Sequence, residues 1–339
     1  MRLTVPATLI AALPCAMPAW AAGDDPLQAC RSIAGPLERV ACYDRLLPPV
    51  TPAPAADTAA EPATTPPAPL RGEGGGSRLD RYWELHEEAQ RGRFVMLPFK
   101  PNYALPVTYN SSPNGKPFAG GDFNVEELEV KFQFSFKMKL WQDMFDSPVD
   151  LWLGYTQQSY WQLFDQQSSP FRETDYEPTV FAVLPVRFNA FGLTTRFLSL
   201  GVVHQSNGRG EPLSRSWNRI VGAAVFERGN LVGQLRAWYR MPEKESEDDN
   251  PDIDDYLGFA DVALSYTHGR QVWSAILKGN WRFDRNRSGI ELGWSFPLWR
   301  ESGDLRLHLQ FFRGYGESLL DYNAKANRVG IGFVVNDWF

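Results

Sequence analysis

No internal stretch of this 339-residue chain reaches the roughly 18 consecutive apolar residues that a membrane-spanning helix requires. A basic excess is also missing: 34 Lys and Arg stand against 40 Asp and Glu, so the electrostatic footprint of a nucleic-acid binder is absent. There is no G-x-S-x-G elbow, which argues against a soluble α/β-hydrolase. "HEEAQ" at 86–90 begins like a zinc-protease helix but lacks the second histidine, which excludes that chemistry. The acidic stretch "EKESEDDNPDIDD", 243–255, lacks the glycine of an EF-hand and reads as a solvated loop, with Asp249 the exception considered below. Cysteine is scarce, at three residues.

Aromatic residues, in contrast, make up 14% of the chain. A soluble aromatic-rich domain and a membrane β-barrel both fit that composition. The start, "MRLTVPATLIAALPCAMPAWAAGDD", has the form of a secretory signal over 1–21: Arg2 is its positive end and Ala19-Trp20-Ala21 its cleavage site, so the mature chain is expected to begin at Ala22. Cys15 follows Leu-Pro, a poor lipidation box. Removal of the signal leaves Cys30 and Cys42 in a short helical segment, 22–47, and an oxidising periplasm favours a bridge between them. Residues 48–77 are a Pro/Ala/Thr- and Gly-rich linker that cannot build a core. Together 22–77 form an expected periplasmic extension, read as solvated rather than as a tether. The last domain, 78–339, opens on an expected short amphipathic helix within 78–98 and then changes texture.

In "LEVKFQFSFKMKL", 128–140, apolar residues take every even position and polar ones every odd position. That period of two marks a strand with one apolar face. It recurs in "SGIELGWSFPL" and "LRLHLQF". Strands tilted across a bilayer need roughly 9–11 residues, longer than the 5–6 usual in soluble sheets. Runs of that length fall at 101–110, 126–141, 148–163, 174–189, 193–207, 214–227, 230–241, 255–268, 270–282, 287–298, 303–315 and 325–339. The predicted fold is therefore all-β, a 12-stranded antiparallel transmembrane β-barrel, since an even number closes without an edge in lipid. The terminal strand puts Val329, Ile331, Phe333, Val335 and Phe339 on one face.

In the run 193–207 the more apolar face carries Leu198, Leu200, Val202, His204 and Ser206, so these side chains are expected to face lipid. Polar groups there are costly without a task. If 193–207 and 214–227 form a hairpin centred near Glu211, residues whose numbers sum to 422 lie opposite; His204 then faces Asn218 and Ser206 faces Ser216. Ser206, His204 and Asn218 fit a nucleophile, base and orienting group for acyl transfer. His268 and His308 have no evident partner in the sequence and read as structural.

"HQSNGRGEPLSRSWNR" (204–219), "SSPFRETDYEP" (168–178), "DDNPDI" (248–253) and "GYGESLLDYN" (314–323) together resemble the outer-membrane phospholipase A family of bacterial integral esterases, over roughly 100–339. The resemblance implies calcium-dependent hydrolysis of both acyl esters (sn-1 and sn-2) of phospholipids and lysophospholipids in the outer leaflet of the outer membrane, by a site on the barrel exterior. It implies Ser206 as nucleophile, His204 as general base and Asn218 as orienting group. It further implies a homodimer as the active form, and Ca²⁺ held by Arg209, Ser214, Asp249 and, from the partner subunit, Ser168. Gln205 departs from the family, where an acidic residue stands in some relatives; its inward direction makes a catalytic effect unexpected. The alternatives are a passive small-solute porin and a structural or adhesive barrel. Bulky charged groups on the inward faces, among them Glu129, Lys131, Lys137 and Glu291, leave little lumen for a porin.

Overall fold

Two-residue alternation sends successive side chains to opposite faces, and here it builds a sheet that closes on itself. The computed structural model describes Cys30 and residues 33–46, 77–119, 123–166, 169–282, 286–299 and 305–336. The chain divides into two units, Met1–Thr65 and Pro66–Phe339. In the first, Cys30 and Cys42 form a disulfide, with Cys42 on helix α1 (Pro36–Leu46). The expected signal peptide and the linker up to residue 76 lie outside the described residues.

In the second unit the strands are β1 (Met96–Pro98), β2 (Asn102–Asn110), β3 (Leu128–Trp141), β4 (Asp150–Trp161), β5 (Phe171–Ala190), β6 (Leu193–Ser206), β7 (Ser216–Arg228), β8 (Leu231–Arg240), β9 (Ala260–His268), β10 (Gln271–Gly279), β11 (Ser288–Pro297), β12 (Arg306–Gly314) and β13 (Ala326–Asn336). From β2 to β13 each pairs antiparallel with its neighbour in sequence, and β13 returns to pair with β2, Val329 opposite Tyr109. The predicted twelve-stranded closed barrel is therefore present. β1 is an addition that the sequence reading lacked. It lies on the same edge of β3 as β2, with Met96 opposite Met138 and Tyr103 opposite Gln133, so the two are one stave interrupted between Pro98 and Pro101. Proline has no N–H for the ladder, which accounts for the break.

The other strand ends fall within about three residues of expectation, and two elements differ further. β9 starts at Ala260 rather than 255, because residues Asp254–Leu257 form the short helix α3, closed by Gly258 at φ +65. The helix expected within 78–98 is limited to α2 (Arg78–Trp83), followed by a 3₁₀ turn, Glu87–Ala89. Ser77 and Asp80 form a capping box at its start, and Glu84, left-handed at φ 52, ends it.

That early stop aims α2 into the barrel. Leu79, Tyr82 and Trp83 pack with Trp152, Phe181, Val183, Phe197 and Val225 from the inner faces of β4 to β7. The Trp83 ring lies 4.7 Å from Phe197 and 6.0 Å from both Phe99 and Phe181, centroid to centroid. Buried Lys137 sits over it, Nζ 3.3 Å from the ring centre, and 4.0 Å from that of Tyr82. Desolvated contacts of this kind contribute about 2 kcal/mol or more. The aromatic plug occupies the end with the tight turns, such as Phe191-Gly192 between β5 and β6, the periplasmic end by the usual barrel polarity.

At the opposite end the segment 315–323 folds into the mouth. Its Glu317 and Asp321 complete a buried ion network with wall residues: Arg172 reaches Glu129 at 2.7 Å and Asp321 at 2.7 Å, and Arg328 reaches Glu129 at 2.7 Å and Glu317 at 2.8 Å. Lys131 joins at 3.3 Å from Glu317. Between these two fillings the lumen keeps a polar cavity of about 160 Å³. The outward faces are apolar, with Leu200, Val202, Val329, Ile331 and Val335 exposed as expected for lipid contact; Phe339 lies outside the described residues.

Candidate active site

β6 and β7 bring the singled-out residues together. They pair with His204 opposite Asn218 and Ser206 opposite Ser216, the register in which numbers sum to 422. Exposure alternates along β6: Val202 and His204 face outward, whereas Val203 is buried. The face that carries His204, Ser206 and Asn218 is thus continuous with Leu200, Val202 and Ile220 on the lipid side. His204 Nδ1 and Asn218 Oδ1 are 2.8 Å apart. An amide oxygen only accepts, so Nδ1 carries the proton in this pair, and in the neutral imidazole Nε2 is then the nitrogen that can act as base. Ser206 follows His204 on the same face, about 7 Å further along the strand.

The loop 207–215 is tied down by Asn207, which points inward and is buried. Its Oδ1 accepts from the backbone N–H of Arg209 (3.3 Å) and Arg215 (3.0 Å), and its Nδ2 donates to the Leu213 carbonyl (2.8 Å). Gly208 takes φ +64, where a Cβ would stand 3.1 Å from the Tyr176 ring, and its N–H donates to Ser206 Oγ at 3.1 Å. The Arg209 guanidinium donates to the carbonyls of Phe171 and Arg172 at 2.8 and 2.7 Å, anchoring the loop to β5.

The acidic loop after β8 completes the surroundings. Asp248 accepts from Arg240 at 2.7 and 2.8 Å, and Asn250 Oδ1 accepts the Ser216 N–H at 2.9 Å. Between them Asp249 accepts from Ser214 Oγ at 2.5 Å. Glu211 is in hydrogen-bonding contact with Asp249, and that contact and the neighbouring negative charge raise its carboxyl above its ordinary value. Of the expected calcium ligands the structure therefore brings Ser214 and Asp249 together, with Arg209 on the same loop; Ser168 lies outside the described residues. No group of three or more His, Cys, Asp and Glu side chains suited to a metal occurs among the described residues. A cation here would use two carboxylates, a hydroxyl and backbone carbonyls, the all-oxygen donor set of Ca²⁺. Two carboxyls in contact are a physical reason for such an ion, since a cation relieves their repulsion.

Glu211, Asn207, Asn250 and Glu243 escaped the sequence reading. Asn207-Gly208 is a turn dipeptide that could have flagged the first of the two asparagines; nothing in the acidic run separates Glu243 from its neighbours. On the inner wall, Gln205 Oε1 accepts from Trp217 Nε1 at 2.9 Å and Arg219 at 3.0 Å, and Glu177 links Arg219 (3.4 Å) to Lys100 (2.6 Å).

The family model described as Phospholipase A1 matches residues 79–335. A relative named putative phospholipase A1 from Neisseria meningitidis is 41% identical over 272 residues, covering 76% of this chain and 70% of the relative. Phospholipase A1 of Escherichia coli is 39% identical over 249 residues, 73% of this chain and 83% of that protein. Among solved structures, outer membrane phospholipase A from Escherichia coli aligns with a TM-score of 0.68 and 38% identity, covering 75% of this chain and 96% of that one. A Salmonella typhi outer membrane phospholipase, a dimer with bound calcium, aligns with a TM-score of 0.68 and 36% identity over the same shares.

Proposed function

The chain belongs to the outer-membrane phospholipase A family, and from that premise we propose that Ser206, His204 and Asn218 carry out its hydrolysis of phospholipids on the outer wall of the barrel. That it is an outer-membrane phospholipase follows from the family; the residue roles, the positions cleaved, the calcium and the dimer are our reading. The observation that carries it is the 2.8 Å contact between His204 Nδ1 and Asn218 Oδ1 on an apolar outer face.

In this reading Ser206 Oγ attacks the acyl carbonyl while His204 Nε2 takes its proton. Asn218 accepts the Nδ1–H and so holds the imidazole in the tautomer that can act as base. The tetrahedral intermediate collapses, and His204 returns the proton to the departing glycerol oxygen. Water, deprotonated by the same imidazole, then attacks the acyl-serine, and His204 returns that proton to Ser206 Oγ as the fatty acid leaves. The family resemblance, rather than this geometry, is the ground for including both the sn-1 and sn-2 esters, and lysophospholipids, in the proposed substrate range. Asn218 carries no formal charge, and its role is orientation.

Ser214, Asp249 and the Arg209 carbonyl would hold Ca²⁺, with Ser168 of a second subunit and Glu211 as an additional carboxylate on this chain. Bound there, the ion would stabilise negative charge developing on the ester oxygen. A ligand from a second subunit would make activity depend on dimerisation, and a second convex wall would turn an open surface into an acyl groove. The porin alternative finds no support in the plugged lumen.

Fatty-acid release from mixed detergent–phospholipid micelles, with and without EDTA, tests the reading on the wild type and Ser206→Ala. Loss of at least about three orders of magnitude in kcat is expected for the variant, together with loss of wild-type turnover in EDTA. Full calcium-dependent turnover by Ser206→Ala would overturn the assignment of the nucleophile.

A further inference from the structure

The amide of Asn218 has a second partner. Its Nδ2 donates to Glu243 Oε1 at 2.8 Å, on the side away from His204. We infer that Glu243 is a positioning residue, one that fixes which end of the Asn218 amide faces the imidazole; the inference rests on the His204–Asn218 assignment proposed above.

The need for such a residue follows from the shape of an amide. Its oxygen and its NH₂ are nearly isosteric, so an asparagine beside a histidine can present either end. Presented by Oδ1, it accepts from Nδ1–H and leaves Nε2 able to receive the serine proton. Presented by Nδ2, it donates to Nδ1, forces the proton onto Nε2, and the imidazole then has no lone pair for Ser206. An aspartate in this place would have no such ambiguity. An ionised glutamate is acceptor-only; placed on the far side of the amide, it selects the NH₂ for itself and so turns Oδ1 toward His204.

Glu243 is held where this works. The β7–β8 ladder ends with Arg219 opposite Arg240, and the Met241 N–H then donates to the Asn218 carbonyl at 2.8 Å. Pro242 follows, with its φ fixed by the ring, and delivers Glu243 to the amide. The neighbouring ammonium does not compete, since Lys244 pairs with Glu247 at 3.1 Å. Glu243 is half-buried at the rim of an apolar wall, where a charge-assisted hydrogen bond is stronger than in open water.

The test uses the full-length protein in phospholipid–detergent micelles with saturating calcium. Glu243→Ala should lower kcat about tenfold, the effect of one lost orienting hydrogen bond, with KM unchanged. Glu243→Gln, whose own amide can present either end to Asn218, loses the acceptor-only selection and should lower kcat about threefold. The double variant Asn218→Ala/Glu243→Ala should be no slower than Asn218→Ala alone, because Glu243 acts only through that amide. Thermal unfolding of each variant verifies the fold, and the near-isosteric Glu243→Gln keeps the test decisive if the alanine variant is damaged. Wild-type kcat in Glu243→Ala, or losses that multiply in the double variant, would overturn the inference. Wild-type kcat in Asn218→Ala would instead overturn the triad beneath it.

Discussion

Trp217 Nε1 donates to Gln205 Oε1 at 2.9 Å inside the barrel, one residue along each strand from the His204–Asn218 pair outside it. Since neighbouring residues on a strand face opposite ways, the inner contact braces the outer one through two backbones. Arg219 stacks on the Trp217 ring at 4.0 Å and shares the same glutamine oxygen.

Gln205→Leu should therefore cost stability before chemistry. The buried Trp217 Nε1 loses its acceptor, at about 1–3 kcal/mol for a group left unsatisfied, whereas Arg219 keeps Glu177. Denaturant unfolding in detergent should show a lower midpoint, while KM stays near the wild-type value.

Trp83→Ala should loosen the plug at one end of the barrel. The substitution removes the ring at the centre of the α2 plug and one aromatic face from buried Lys137. A loss of about 3–5 kcal/mol is expected for so large a buried side chain. Denaturant unfolding in detergent should show a lower midpoint, while the lipase rate of the folded protein falls less than in Ser206→Ala.

On the proposed calcium site, Asp249→Asn should weaken ion binding without altering the proposed triad. One of two carboxylates at the Ser214 loop loses its charge, and affinity for a hard divalent ion follows the count of charged oxygens. Calcium titrations of activity should shift to higher concentration by about tenfold, with most of the maximal rate recovered at excess calcium.

Gly208→Ala should disturb the proposed nucleophile directly. A side chain at φ +64 costs about 1–2 kcal/mol, and the new Cβ would stand 3.1 Å from the Tyr176 ring. The Gly208 N–H that donates to Ser206 Oγ would shift with it. A fall in kcat, with little change in the calcium titration, is the expected result.

Strand pairing was legible because it is local. Residues 193–227 form a hairpin whose inward and outward faces are written in its alternation, so placing His204 opposite Asn218 needed only a turn near Glu211. The short α2 was not legible: "RLDRYWELHEEAQRG" has a helical pattern beyond Trp83, and the helix stops because Tyr82 and Trp83 find partners inside the barrel. By its own residues the acidic loop was legible as solvated charge and no further; only the family resemblance singled out Asp249. Asp248, Asp249 and Glu243 are alike as residues in a row, yet one pairs with Arg240, one with Ser214 and one with Asn218.

Composition and period alone thus determined that this chain closes into a twelve-stave barrel, and which side of its clearly alternating staves meets lipid. Burial of every second side chain is a one-dimensional constraint, written residue by residue. Only the tertiary structure decided which carboxylate serves the amide, which serves the serine loop, and how the lumen is stopped at each end. Those choices depend on distances between segments far apart in the chain, and no local pattern of charge or hydropathy encodes them.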